Sequence, residues 1–234
     1  MKKIDSINIK IASAIPGAAA MIETFRAIGY TLETAVADIV DNSISASAKN
    51  VWINRIWKGG NSVITIMDDG HGMTGDEIIQ AMRPGAQNPL EKRAVTDLGR
   101  FGLGLKTASF SQCRTLTVMS KIQGQSPEFW TWSLDYVARS DRWELIHWLP
   151  EGFEHELDGL TSGTIVIWTD PDRIIPTTTK IENEHAKRKF SEAFDRVKKH
   201  LSMTFHRFLE TKSITGKFYQ FNLSSCIRQQ NSLT

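Results

Sequence analysis

From Ala35 to Ala48 the chain reads Ala-Val-Ala-Asp-Ile-Val-Asp-Asn-Ser-Ile-Ser-Ala-Ser-Ala. The segment is apolar enough for a helix packed in a core, yet Asp38, Asp41 and Asn42 interrupt it. Buried carboxylates are costly unless something satisfies them. A fold that uses this helix must therefore set polar partners beside it. Thr31 is a suitable N-cap, and the helix is expected to run to about Ala46. Asp38 and Asn42 are four residues apart and share one face. Leu32, Val36, Ile39 and Val40 are left to cover the core. An Asn side-chain oxygen is a hard ligand suited to Mg²⁺, and a nearby carboxylate can polarise a water as a general base. The same pair also fits a plain solvent-facing or capping role.

The rest of the chain alternates between two periodicities. Residues 18–29 predict a helix ended by Gly29. Residues 50–57 and 61–68 are apolar or alternating runs joined by Lys58-Gly59-Gly60-Asn61, a β-hairpin pattern. Residues 74–82 predict a short helix capped by Thr74. Residues 84–100 mix Pro, Gly and charges without period and are expected to form a mobile loop. A helix over 103–111 is expected next, then strands at 114–122, 128–136, 142–149 and 163–170. A long helix is expected from about Ile181 to Leu209, with Phe190, Phe194, Val197, Leu201, Phe205 and Phe208 at helical spacing. This order implies an α+β protein: a two-layer α/β sandwich with helices on one face of a mixed sheet. Residues 1–16, with a strand pattern at 7–12, are expected to form an arm and 17–211 the main domain. Residues 212–234 begin like a strand and then lose pattern, as a linker or the start of an incomplete second domain.

Composition narrows the classes of function. With 234 residues, 41% hydrophobic and 23% charged, a soluble core is expected. A net charge of +2 gives no global signature of nucleic-acid binding. Cys113 and Cys226 have no metal-like spacing. The N-terminus is a poor signal peptide, and no apolar run reaches the roughly 20 residues that span a bilayer. No membrane association is expected, and a cytoplasmic location is the default.

Two further segments carry chemistry. Met67–Met73 ends an apolar run with Asp68-Asp69-Gly70-His71-Gly72. Gly70 and Gly72 allow positive φ and close backbone approach. Asp68 at the strand end can accept a hydrogen bond from an exocyclic amine, although Asp-Gly is also an ordinary turn. His71, between glycines, has no visible metal partner. In the second segment Gly99, Gly102 and Gly104 precede a helix with Lys106. Such a turn can cradle phosphates on backbone N–H groups. Its spacing is neither that of a P-loop nor that of a Rossmann motif.

Taken in order, these segments resemble the GHKL, or Bergerat-fold, ATPases: DNA gyrase B, Hsp90, MutL, MORC proteins and histidine kinases. Residues 37–48 look like the N box, 68–73 like the adenine motif and 99–106 like the lid glycines. Gly163-Thr164 fits the last motif. The Gly-Leu-Lys-Thr-Ala-Ser run after the lid glycines is closest to the MORC-like or Hsp90-like branch. The resemblance implies Mg²⁺ as cofactor and ATP as substrate, with Asn42 as Mg²⁺ ligand and Asp68 reading the adenine amine. It implies that Gly70, Gly72 and Met73 line the base pocket, and that Thr164 lies near the adenine–Asp network. Gly99, Arg100, Phe101, Gly102, Leu103, Gly104, Leu105 and Lys106 would form the phosphate turn, and residues 84–100 the lid.

One position departs from the pattern. The water-activating Glu of gyrase-like and MORC-like members is Asp38 here, one methylene shorter. The usual Asp after the N box is Ser45. Slow hydrolysis is therefore expected, coupled to conformational switching or to closure of a homodimer, with a nucleotide-occupancy switch of negligible hydrolysis as the alternative. A histidine kinase fits less well, because its N box usually carries Asn where Asp38 stands. The helix near 181–200 offers Lys187, Arg188, Lys189, Lys198 and Lys199 for DNA contact, but their mixture with acidic residues equally suits a solvated face.

Overall fold

The computed structural model describes residues 12–85 and 104–206, and the backbone of 220–222. Six strands form one sheet in the order β4-β3-β5-β2-β1-β6. They are β1 Asn50–Ile56, β2 Val63–Asp68, β3 Thr115–Lys121, β4 Glu128–Ser133, β5 Gly163–Thr169 and β6 Gln220–Asn222. The pairs among β1 to β5 are antiparallel, and β6 runs parallel to β1. The helices are α1 Ala18–Arg26, α2 Leu32–Ser45, α3 Gly75–Met82, α4 Gly104–Phe110, α5 Leu134–Ser140 and α6 Glu184–Thr204. The α+β class, with helices over a mixed sheet, is as the sequence implies.

Alternation along the strands decides which side chains meet the helices. Ile64 and Ile66 of β2, Leu116 and Val118 of β3, and Val166 and Trp168 of β5 join the core shared with α1, α2 and α6. Their neighbours Val63, Met119, Ile165 and Ile167 point the other way, where Phe153 and Leu157 cover them. Asp68, Ser120 and Thr164 follow the helix-facing set by period two. This parity builds the site described below.

Helix α2 forms where its cap and its stripe agree. Thr31 accepts from the Thr34 N–H at 3.2 Å, and its own N–H donates to the Thr34 hydroxyl at 3.1 Å. Leu32, Val36, Ile39 and Val40 are buried, each contributing about 1.5–3 kcal/mol of apolar burial. Arg26, at the end of α1, fastens the α1 side of this layer. Its buried guanidinium donates to the carbonyls of Phe110 and Cys113 and to both oxygens of Asp172.

Three expectations need correction. The strand expected over 128–136 stops at Ser133, because the Ser133 hydroxyl accepts from the Tyr136 N–H at 3.2 Å and starts α5. Residues 142–149 form no strand. They make one antiparallel bridge, Ile146 to Thr131, while the N–H groups of Glu144 and Trp148 turn back to nearby carbonyls. The long helix begins at Glu184 rather than Ile181, because Asn183 takes the cap by accepting from the Ala186 N–H at 3.0 Å. The strand pattern at 7–12, the loop of 84–100 and Phe208 fall wholly or largely outside the described residues.

Candidate functional site

The floor of the site is a polar row across three adjacent strands. Asp68 pairs with Thr164, and Thr164 pairs with Ser120, in the register of β2, β5 and β3. All three are buried. The Ser120 hydroxyl lies 2.8 Å from that of Thr164, donates to the Gly163 carbonyl at 3.0 Å and accepts from the Met73 N–H at 2.8 Å. The Asp68 carboxylate accepts from the Gly70 N–H at 2.9 Å and from the Ser43 hydroxyl at 2.8 Å. Burial pushes the Asp68 carboxyl above its ordinary value, and the hydrogen bonds from Gly70 and Ser43 oppose that shift. A buried carboxylate held this way is fixed in direction.

The turn after Asp68 is set by close approach. Gly72 has φ +74°, and a Cβ there would lie 2.0 Å from the Lys121 carbonyl oxygen. A Cβ on Gly70 would meet Ala46 at 2.8 Å. The His71 N–H donates to the Ala46 carbonyl at 3.1 Å, so this turn is seated on the C-terminal end of α2. His71 itself is exposed, with Nδ1 at 2.7 Å from the Gly72 carbonyl. Asp69 serves the scaffold, accepting from the N–H groups of Lys49 and Asn50 and from the Asn50 side chain.

The wall of the site is α2. Ser43 ties it to Asp68, while Asn42 beside it is exposed. One turn earlier, Asp38 is partly buried and accepts from the Tyr30 hydroxyl at 2.7 Å. Burial and the charge of Asp38 raise the Asp41 carboxyl. Gly104 opens α4 against Asp38: a Cβ there would lie 3.5 Å from Oδ2. Leu105 is partly buried and packs on the core. Lys106 is buried, its Nζ donating to the Ala81 carbonyl at 2.8 Å, and burial lowers its pKa to about 8.

The structure thus brings Asp38, Gly104, Asp68, Gly70, Gly72, Met73 and Thr164 around α2 and the strand ends, with Asn42 on the open side of α2. It turns Lys106 toward α3. Gly99, Arg100, Phe101, Gly102 and Leu103 lie outside the described residues. Sequence reasoning missed Ser43, Ser120 and Tyr30. Ser120 was open to discovery from parity, because it falls on the same side of β3 as Leu116 and Val118. Nothing in the spacing points to Tyr30, which acts across a helix start. A separate groove of about 850 Å³ lies at the other end of α2, lined in part by Tyr30, Glu33, Arg173, Lys189 and Arg196. It holds none of the strand-end residues.

Comparison with known proteins identifies the family. The family model described as histidine kinase-, DNA gyrase B- and HSP90-like ATPase matches residues 30–164, more than half of the chain. The chain belongs to this family. It is 37% identical over 94 residues to the DNA mismatch repair protein MutL of Rhizorhabdus wittichii, covering 39% of this chain and 15% of that protein. It is 30% identical over 91 residues to ATPase morc-1 of Caenorhabditis elegans, covering 39% and 10%. It is 27% identical over 90 residues to MORC family CW-type zinc finger protein 3 of Mus musculus, covering 38% and 10%. The matches span from 10% to 20% of the lengths of such relatives. Among the described residues, no helix is long and apolar enough to cross a membrane.

Proposed function

We propose that the chain binds Mg-ATP and hydrolyses it slowly to ADP and phosphate, as the nucleotide module of a conformational switch. The observation that carries this reading is the Asp68–Thr164–Ser120 row facing a helix that bears Asp38 and Asn42. Asp68 accepts from the exocyclic amine of adenine, and Gly70, Gly72 and Met73 form the rim around the base. Thr164 and Ser120 orient the polar side of that pocket. The donor set suits the metal: Asn42 offers one exposed neutral oxygen, and Mg²⁺ commonly takes one or two protein oxygens and completes its shell with phosphates and water. Bound there, the ion would neutralise phosphate charge. Asp38 takes a proton from water as the water oxygen attacks the γ-phosphorus. The bond to the β–γ bridging oxygen breaks, and the proton later returns to solvent. Arg100, Phe101, Leu103 and the lid glycines are assigned to the phosphates by the family resemblance.

Slow turnover follows from side-chain length. Asp38 is one methylene shorter than the family's Glu, and a misplacement of about 1 Å can cost about 10²-fold. Coupling to closure of a homodimer, with residues 1–16 as an arm, is the family-based part of the proposal. The MutL relative is a DNA mismatch repair protein, which suggests DNA as a partner. Lys189, Lys198 and Lys199 on the exposed side of α6 would serve, whereas Lys187 and Arg188 are already paired with Glu184 and Glu192. The short Asp38 also favours a second reading, an occupancy switch with negligible hydrolysis.

Phosphate release with and without Mg²⁺, in the wild type and in Asp38→Ala, separates the two. The first reading expects Mg²⁺-dependent turnover that falls by about 10²-fold or more in Asp38→Ala, with ATP affinity within about a factor of three. ATP binding without turnover in either protein selects the occupancy switch. Failure to bind ATP rejects both.

A further inference from the structure

Asp38 has two oxygens in different surroundings. Oδ2 accepts from the Tyr30 hydroxyl at 2.7 Å and faces the first residue of α4, Gly104. No hydrogen bond among the described residues engages Oδ1. Tyr30 is itself held from two sides. Its hydroxyl also meets the Thr107 side chain, and its carbonyl accepts from Gln112 Nε2 at 3.3 Å. Thr107 lies on α4 and Gln112 just beyond it. The carboxylate is therefore anchored, through one phenol, to α4. A short Asp side chain has few ways to direct one oxygen outward; locking the other oxygen is the simplest.

We propose that Tyr30 is a positioning residue for hydrolysis, whose hydroxyl holds Oδ2 of Asp38 so that Oδ1 is the oxygen presented to the attacking water. This rests on the reading of Asp38 as general base. It also makes α4 a participant: displacement of Thr107 loosens Tyr30, and with it the base. A role in packing alone would need the Tyr30 ring, not the hydroxyl, because the ring is what contacts the core.

The test is steady-state phosphate release and ATP affinity for the full chain as wild type, Tyr30→Phe, Asp38→Asn and the double variant. Tyr30→Phe is expected to lower kcat by about tenfold to a hundredfold, the range that a small displacement of a reacting group produces, with ATP affinity within about twofold. In the Asp38→Asn background, Tyr30→Phe is expected to add no further loss. Such non-additivity is the mark of two groups acting as one. Wild-type kcat in Tyr30→Phe overturns the inference. So does a parallel fall in kcat and affinity, or a loss of the same factor with and without Asp38. Absence of any Asp38-dependent turnover in the wild type overturns the hydrolysis reading, and this inference with it. That result differs from turnover that needs Asp38 but not the Tyr30 hydroxyl, which overturns this inference alone. Should Tyr30→Phe fail to melt like the wild type, Thr107→Val, which keeps the ring and removes its anchor, is judged by the same criteria.

Discussion

The strand-end side of the site and the α4 side are built on different terms. Asp68, Ser120 and Thr164 stand on three neighbouring central strands, and Ser43, Gly70 and Met73 lock them with hydrogen bonds of 2.8–2.9 Å. Their geometry follows from sheet register. On the other side, Asp38 is placed by a phenol from the loop between α1 and α2, and Lys106 is spent on a carbonyl of α3. That geometry depends on how three helices sit together. The half proposed to recognise a base has a geometry inherited from the sheet. The groups proposed for phosphate and water are held by single contacts between helices and loops.

The comparison breaks most visibly at Gly72. This residue needs both φ +74° and the space beside the Lys121 carbonyl. Left-handed backbone at a non-glycine residue costs about 1–3 kcal/mol, and overpacking adds about 1–3 kcal/mol. Gly72→Ala is therefore expected to destabilise the whole domain by about 3 kcal/mol or more, read as a lower urea midpoint. It should weaken nucleotide binding even where the protein remains folded. A midpoint matching the wild type would mean that the turn is soft, and the rigid half of the comparison would be lost.

Asp68→Asn sharpens the same half. Burial holds the carboxyl above its ordinary value, so its charge is a burden to the ligand-free fold. The sign follows from linkage: above the ordinary carboxyl pKa the unfolded chain releases this proton more readily than the folded one, so this group's contribution to stability falls as pH rises through that window. Asn keeps the shape, accepts from the Gly70 N–H and can donate to Ser43. Stability at neutral pH is expected to be unchanged or higher. Affinity for ATP should fall by about 1.5–3 kcal/mol, the worth of a hydrogen bond to a charged group. Calorimetry and a melt on the same sample give both numbers. A loss of stability together with affinity would make Asp68 a structural residue.

Much of the rigid half was legible in the chain. Asp68 closes an apolar strand, Gly70 and Gly72 mark a turn under close approach, and parity carries Thr164 to the same face. Thr31 and Thr74 announced their helices as caps. The other half was less legible. Tyr30 lies outside the periodic stripe of α2, and its bond to Asp38 depends on the angle at which α1 leaves. Leu134, Asp135 and Tyr136 read as a continuation of the strand, but the Ser133 hydroxyl caps a helix there. Residues 142–149 carry strand-like side chains, but the N–H groups of Glu144 and Trp148 close local turns and only the single bridge at Ile146 reaches β4. Each of these depends on backbone path, which residue type alone does not encode. Lys106 belongs with them: its spacing suits the phosphate turn, yet the direction of a long side chain is decided by packing.

Lys106 gives the smallest effect and the finest division between the two halves. Burial lowers its pKa from 10.5 to about 8. Below pH 8 the folded and unfolded chains both carry the charge, and stability does not depend on pH through this group. Between about 8 and 10.5 the unfolded chain still holds the proton that the folded chain has released. Stability is then expected to rise with pH, by about 1.4 kcal/mol per pH unit at most. The difference between wild type and Lys106→Met isolates the slope from other groups that titrate there. Saturating ATP decides where the amine goes. If Lys106 leaves the Ala81 carbonyl for the phosphates, their negative charge keeps it protonated, and the slope between the two proteins vanishes. If it stays on Ala81, ATP adds stability at every pH but leaves the slope intact. In that case the phosphates are held without this lysine, and α4 contributes to the site through Gly104 and the Thr107–Tyr30–Asp38 contact instead.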